Sequence, residues 1–204
     1  MLTTALRKLV DLASVAETGC SVTESLGDRQ LRELLSARNG FAAFYSSLHV
    51  RRSGGSGDAL DVLAWSRLPV WALVYPSAAG LLLFAEDVFG NQFGVAGDGS
   101  VSLLEVETGD VEAFAGSLEE WAGTVLLDHR NVTGWPLAEE WQRANRPLRV
   151  GERLVPRQPF VLGGDYELSN LRALPEREMV DRYSRLASAI ASAPDGERVS
   201  VVGF

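Results

Sequence analysis

Closely spaced turn signals in the middle of the chain constrain its fold more than any other sequence feature. Short apolar runs separate them, and the spacing is about 8 to 11 residues. The signals are Gly90-Asn91, Asp98-Gly99 and Gly109-Asp110. Glycine and asparagine tolerate the positive φ that two-residue hairpin loops require. The pattern therefore predicts a meander of antiparallel strands.

The first turn signal lies within the stretch FAEDVFGNQFGV, residues 84–95. We interpret this stretch as strand, turn and strand, with Phe89 and Phe93 packed beside the turn. Asp87 is expected to accept hydrogen bonds from the turn amides. Two apolar runs precede it, at residues 71–75 and 81–84, and both are predicted to be buried strands because proline and glycine bound them.

Helices are predicted before this β-rich region. Apolar residues at helical spacing indicate an amphipathic helix at the N-terminus, and they are Leu2, Leu6, Leu9, Val10 and Ala13. Asp28 is predicted to cap a second helix that a left-handed Asn39-Gly40 stop ends. Residues 41–48 repeat the helical spacing and predict a short third helix or turn. The Gly- and Ser-rich residues 51–58 are interpreted as an internal loop.

Further helices are predicted after the β-rich region. Ser117 and Glu120 form a capping box at the start of one of them. Pro136 is expected at the first position of the next helix, and Pro147 after its end. Pro175 is predicted to open a helix stabilised by the i,i+4 pairs Glu178–Arg182 and Asp181–Arg185. Residues 199–202 are predicted to be a last strand.

The net charge of −8 is concentrated in one segment. Residues 86–140 contain twelve acidic residues and one arginine. A nucleic-acid partner is disfavoured, because binding to the phosphate backbone needs clustered cations. A basic partner is favoured, because such a field steers association. A solvated acidic face that keeps the protein soluble explains the same pattern.

The sequence contains no catalytic or metal-binding motif. Cys20, His49 and His129 stand alone in their segments, which disfavours a zinc site. Glu86 and Asp87 are adjacent, so in a strand they point to opposite faces. Glu105 and Glu107 are expected to share a strand face. With a single cysteine and no apolar run of about 20 residues, we expect a cytoplasmic protein without a membrane span.

Several stretches resemble the SUKH superfamily, which comprises bacterial toxin-immunity proteins and a fungal cell-wall synthesis regulator. The resemblance covers about residues 25–204 and is strongest at residues 80–129 and 158–203. It is carried by ELLSARNGF and by the Asp87-x-x-Gly90 turn with Asn91 and its preceding strand. The C-terminal immunity domains associated with type VI secretion share a similar strand–turn–strand segment. Residues 1–24 then form an N-terminal helical extension. LGGDYELSNL, with Gly163 and Gly164, looks like a subgroup extension.

The resemblance implies a single α+β domain in which helices pack against a mainly antiparallel sheet. It also implies a protein without enzymatic activity or cofactor that binds and blocks a cognate toxin, often a nuclease or a deaminase. The rival interpretations are a regulatory scaffold with a cellular partner and a carboxylate enzyme without a short signature.

The toxin-binding interface is predicted on the acidic region of the sheet. The residues assigned to its rim are Glu105, Glu107, Asp110 and Glu112. Tyr166 is the candidate anchor, because aromatic residues dominate interface energetics. The alternative is that Tyr166 packs on the protein's own core.

Overall fold

The computed structural model describes residues 2–55, 60–193 and 204. Its centre is a six-stranded antiparallel sheet in which neighbours in space are neighbours in sequence. The strands are β1 (Phe41–Ala43), β2 (Leu48–Val50), β3 (Leu82–Glu86), β4 (Gln92–Val95), β5 (Val101–Leu104) and β6 (Val111–Ala115). The predicted meander is confirmed, and Gly90, Gly99 and Gly109 all adopt positive φ at its turns.

A second, two-stranded sheet and the helices complete the architecture. Strands β7 (Glu152–Pro156) and β8 (Leu171–Pro175) pair antiparallel. The helices are α1 (Thr4–Leu12), α2 (Arg29–Ala37), α3 (Val62–Ser66), α4 (Pro69–Leu73), α5 (Leu118–Val132), α6 (Trp135–Ala144) and α7 (Glu176–Ser192). The α+β class predicted from the sequence is therefore confirmed. No helix within the described ranges is both long enough and apolar enough to cross a bilayer.

The capping predictions are largely confirmed. Asp28 accepts a hydrogen bond from the Leu31 amide at 2.7 Å, and Ser117 accepts one from the Glu120 amide at 3.2 Å. Glu120 reaches back to the Gly116 amide rather than to that of Ser117. Pro136 lies in the second helical position, because Gly134 is the N-cap of α6. Both predicted ion pairs of α7 form, and α6 ends at Ala144, before Pro147. Helix α2 ends earlier than predicted, because its C-cap Arg38 is extended and the left-handed φ occurs only at Gly40.

Residues 41–48 contain the predicted turn, at residues 44–47, but not the alternative helix. They form the hairpin of β1 and β2, whose turn is built from Phe44, Tyr45 and Ser46 at φ values of 51° to 58°. Strand β2 pairs in turn with β3, through His49 opposite Glu86 and Val50 opposite Ala85. Pairing with a strand more than 30 residues away overrides the local helical spacing, which is a weak signal over so few residues.

The predicted strand over residues 71–75 is also wrong. Residues 69–73 form α4, with Pro69 at its first position. A short apolar run fits a buried strand and a buried helix equally well. Proline at a helix start was the distinguishing signal. The rings of Trp65, Trp71 and Tyr75 pack together in this helical region.

Apolar side chains form a core on each face of the six-stranded sheet. One core joins α1, α2 and α5 to the sheet around Phe84 and Phe93. The other joins α3, α4 and α7 to it, and a smaller cluster lies between α6 and β7. Leu6 and Leu9 of α1 are fully buried, so the helix of residues 1–24 belongs to the first core. The predicted strand 199–202 and residues 56–58 of the loop lie outside the described residues.

Candidate functional site: an acidic and aromatic cavity

The β3–β4 turn is held by Asp87. Its Oδ1 accepts hydrogen bonds from the amides of Phe89 and Asn91 at 2.8 and 2.9 Å, and its Oδ2 accepts one from Asn91 Nδ2 at 2.8 Å. This is the role predicted for Asp87. Burial raises the pKa of this carboxyl group to about 7, even though the hydrogen bonds favour the carboxylate. Asn91 also accepts a hydrogen bond from the Val106 amide and so fixes this turn to the β5–β6 connection.

Gly90 allows this turn to approach α7 closely. Its φ of +91° is in the left-handed region, and a Cβ atom there would overlap the Met179 side chain. The neighbouring Phe89 is half-buried and packs against the cluster between α6 and β7. Its ring meets those of Phe160 and Tyr166 edge-on, with centroid distances of 5.2 and 6.1 Å.

The predicted extension, residues 162–171, is an ordered loop between β7 and β8. Gly163 adopts a left-handed φ of +82°, and a Cβ atom at Gly164 would collide with the carbonyl of Gln158. Asn170 ties the loop together by bonding the amide and carbonyl of Gln158 and the carbonyl of Asp165. The backbone conformation at Gly163 and the lack of space at Gly164 therefore favour glycine at both positions.

This loop presents Tyr166 on an aromatic platform. The Tyr166 ring stacks on Phe160 with a centroid distance of 3.9 Å and an interplanar angle of 4°. The residue nevertheless remains 63% exposed. Tyr166 therefore packs on Phe160 and Phe89 but does not enter the core. An exposed aromatic ring held in one orientation is the arrangement that an interface anchor requires.

Glu107 joins the loop to the acidic turn. Its carboxylate accepts hydrogen bonds from the amides of Phe160 at 3.1 Å and Val161 at 2.7 Å. Burial, and to a smaller extent the charge of Glu105, raises the pKa of Glu107, although these two hydrogen bonds lower it. The expectation that Glu105 and Glu107 share a strand face is wrong. Strand β5 ends at Leu104, and residues 105–110 form a turn closed by backbone hydrogen bonds.

These elements enclose a surface cavity of about 270 Å³. It is lined by Phe89, Asn91, Glu105, Glu107, Thr108, Phe160, Val161, Tyr166 and Tyr183. The structure thus brings together three of the predicted interface residues, Glu105, Glu107 and Tyr166. Asp110 and Glu112 are exposed farther along the same turn and on β6, outside the cavity lining. Sequence reasoning missed Phe89, Phe160 and Tyr183, which come from three separate segments.

A buried ionic cluster lies inside the protein, around Glu86. Its carboxylate contacts Arg51 Nη2 at 2.6 Å, Arg153 Nη2 at 2.6 Å, His49 Nδ1 at 3.0 Å and Gln92 Nε2 at 2.9 Å. Burial would raise the pKa of Glu86, but the charges of Arg153 and Arg51 outweigh it and hold the pKa well below its usual value.

Other segments join this cluster through the same side chains. Arg51 also bonds Glu176 at 2.7 Å and lies 3.6 Å from the ring centroid of Trp65. The second ring nitrogen of His49 contacts Glu17 at 2.8 Å. Burial raises the pKa of Glu17, and the contact with His49 more than offsets that effect. The cluster thus ties the N-terminal segment, β2, β3, β7 and α7 together.

The arrangement of these groups bears on the rival enzyme interpretation. Glu86 and Asp87 are buried acids with opposed pKa shifts, which is a feature of acid–base sites. However, they bind separate sets of partners, and neither lines the aromatic cavity. His49 is engaged by two carboxylates, and Cys20 is exposed. Within the described ranges, no group of His, Cys, Asp and Glu side chains has a metal-binding arrangement.

Comparisons with known proteins inform the fold. No protein-family model matches the chain, and no curated protein matches it. A similar solved structure is Atu4351 from Agrobacterium tumefaciens, with a TM-score of 0.58 and 8% sequence identity. The superposition covers 86% of each chain. The six-stranded meander with its helices is therefore an architecture that also exists in a crystal structure.

Proposed function

We propose that this chain is a non-enzymatic protein-binding module, an immunity protein that binds and neutralises a basic cognate toxin. The observation that carries the proposal is the exposed Tyr166, fixed on Phe160 beside acidic side chains that point to solvent. A rigid aromatic anchor with a charged rim is typical of protein interfaces. The resemblance of the sequence to the SUKH superfamily supports the same function.

The charge distribution at the surface favours a basic partner. Glu105, Asp110 and Glu112 are exposed, and none of their side chains makes a hydrogen bond or ion pair with another described residue. By contrast, Glu86 is neutralised inside the protein by Arg51 and Arg153. Unpaired exposed carboxylates accelerate association with a cationic surface and make it salt-sensitive. A toxin that acts on nucleic acid is expected to carry such a surface.

The ionic cluster is assigned a structural role in this proposal. Every charged group in it has a partner within the protein, and both Arg51 and Glu86 are fully buried. A substrate would have to displace these internal ion pairs to reach them. We place the protein in the cytoplasm, where a single exposed cysteine such as Cys20 stays reduced.

The proposal is tested first by purifying the tagged protein from its own host at low and at high salt. The expected result is one basic protein that is retained at low salt and encoded nearby. Expression of that protein should be toxic, and co-expression of this chain should relieve the toxicity. Recovery of abundant cell-wall or signalling proteins alone would instead favour the regulatory scaffold.

The interface is then tested with matched charge variants. The variant E105S/D110S/E112S should bind the partner at least tenfold more weakly at low salt. Glu107 is left intact because it holds the Tyr166 loop. The control D11S/E24S/E140S removes three exposed acids elsewhere and changes the net charge equally. Equal weakening by both variants would show that only net charge matters and would place the interface elsewhere.

A further inference from the structure

We infer that the cavity beside Tyr166 binds one arginine side chain of the partner protein. This inference rests on the proposed function, because it names the chemical group that the same surface recognises. It goes beyond that function by assigning a defined side-chain pocket, with a chemical preference, to a surface that is otherwise described only as acidic and aromatic.

The cavity offers hydrogen-bond acceptors and an overall negative charge. None of the described residues that line it is basic, and two of them are glutamates. The Glu105 carboxylate is exposed and makes no hydrogen bond or ion pair with another described residue. Glu107 has further lone pairs beyond those that the loop amides use. Guanidinium groups have five N–H donors and no acceptor, so they complement such a cavity.

Tyr183 provides an independent indication of a ligand. This residue of α7 is only 1% exposed, yet it lines the cavity. Its hydroxyl group forms no hydrogen bond to any residue that the structure describes, whereas the buried Tyr75 donates one to the Val106 carbonyl at 2.9 Å. The Tyr183 oxygen is not among the fully enclosed polar atoms that lack a partner, so it is accessible from the cavity and can form a hydrogen bond with a group that enters it.

The aromatic wall selects a planar cation. Tyr166 stacks on Phe160, and the edge of Phe89 supports both rings. The exposed part of the Tyr166 ring is available to a guanidinium group, which stacks on aromatic faces and also forms paired bonds with carboxylates. A lysine ammonium group would lack both the planar stacking and the forked hydrogen bonding.

The size of the cavity is compatible with a single side chain. Its volume of about 270 Å³ is near the lower end of the range of roughly 300–1,000 Å³ that is usual for small-molecule sites. Pockets that receive one anchoring side chain are common at the centre of protein interfaces, and arginine is enriched among such anchors.

The inference is tested on the full chain with N-acetyl-arginine amide as the probe. Titration followed by amide NMR should give saturable shifts at the amides of Phe160, Val161 and residues 105–108, with millimolar affinity. N-acetyl-citrulline amide, which has nearly the same shape without the charge, should bind at least tenfold more weakly. N-acetyl-lysine amide should lie between them. Equal shifts from the arginine and citrulline probes, or shifts elsewhere, would overturn the inference.

Variants separate the proposed contacts. Glu105→Gln and Tyr166→Leu should each weaken binding of the arginine probe about tenfold, and Tyr183→Phe should weaken it severalfold. Glu140→Gln is the control, because Glu140 is exposed and lies outside both the cavity lining and the proposed rim, and it should leave the affinity for the probe unchanged. Unchanged affinity in both Glu105→Gln and Tyr183→Phe would contradict the inference even if the fold is intact.

The inference and the proposed function can fail separately. A toxin that binds this chain with unchanged affinity after Glu105→Gln and Tyr166→Leu would leave the immunity function intact and refute the arginine pocket. Specific binding of the arginine probe without any protein partner would instead support the pocket and refute the toxin-binding function. If both hold, replacing one arginine of the toxin by lysine should weaken the complex at least tenfold.

Discussion

Replacing Glu86 with glutamine is expected to destabilise the fold strongly. The carboxylate pairs with Arg51 and Arg153 at 2.6 Å each, and Arg51 and Glu86 are fully buried. Glutamine has nearly the same shape but leaves both guanidinium groups without their shared counter-charge. Removal of one partner from a buried ion pair typically costs about 3–5 kcal/mol. For a chain of this length, that loss corresponds to a fall in Tm of roughly 6–20 °C.

Thermal and urea denaturation measure this loss directly. Glu112→Gln is the matched control, because it removes an exposed carboxylate and should change the free energy of unfolding by no more than about 0.5 kcal/mol. In the double variant E86Q/R153M, the cation that loses its ion-pair partner is also removed, whereas Arg51 keeps Glu176. This variant should therefore be more stable than the sum of the two single changes predicts. A loss below about 1 kcal/mol in Glu86→Gln would refute the reasoning.

The same cluster contributes to acid stability. The folded protein holds the pKa of Glu86 well below the ordinary value of 4.5, so the folded state binds fewer protons than the unfolded state as the pH falls through that value. The stabilisation is fully present above the unfolded pKa and is lost as the pH falls towards the folded pKa. In Glu86→Gln, the decline in stability below about pH 4.5 should be shallower than in the parent chain. If the free energy of unfolding falls equally steeply below pH 4.5 in both proteins, Glu86 does not have the lowered pKa.

The remaining predictions concern the turn and the N-terminal helix. Burial raises the pKa of Asp87 from 3.8 to about 7, so the folded state binds more protons and stability should fall as the pH rises between these values. In Asp87→Asn, the free energy of unfolding measured by urea denaturation should depend less on pH over this range. The same pH dependence as in the parent chain would contradict this. Gly90→Ala should lower Tm more than Gly99→Ala, because both have positive φ but only Gly90 also abuts Met179; equal losses would exclude that contact. Glu119 accepts hydrogen bonds from the Thr3 hydroxyl and from the amides of Ala5 and Leu6 at the start of α1. In Glu119→Ala, the amides of α1 should therefore exchange faster in hydrogen-exchange mass spectrometry, and unchanged rates would refute this capping role.

The parts of the fold that sequence reasoning predicted are set by local chemistry. The turns at Gly90, Gly99 and Gly109 need residues that tolerate positive φ, and these can be recognised without knowing the rest of the chain. The caps at Asp28 and Ser117 act over three residues. The helix alternative at residues 41–48 and the strand at residues 71–75 were wrong, and both concern short apolar segments whose conformation depends on what covers them.

The candidate site was predictable only in part for the same reason. Glu105 and Glu107 are close in sequence, and the turn keeps them close in space. The contact of Glu107 with the Phe160 amide spans 53 residues, and the pair of Arg51 with Glu176 spans 125. No spacing rule connects residues so far apart. In the sequence both sets of charges look unpaired, whereas in the folded chain Arg51 and Glu176 are buried together and Glu107 is half-buried beside the cavity.

The β3–β4 segment links the buried cluster to the proposed interface. Glu86 and Gln92, at its two ends, face each other inside the protein at 2.9 Å. Between them, Phe89 and Asn91 line the surface cavity. A change that loosens the cluster should therefore also disorder the wall of the cavity, and a binding defect in Glu86→Gln would say nothing about contact with a partner. Evidence for the interface has to come from Glu105, Asp110 and Glu112, whose exposed side chains can be changed while this segment stays in place.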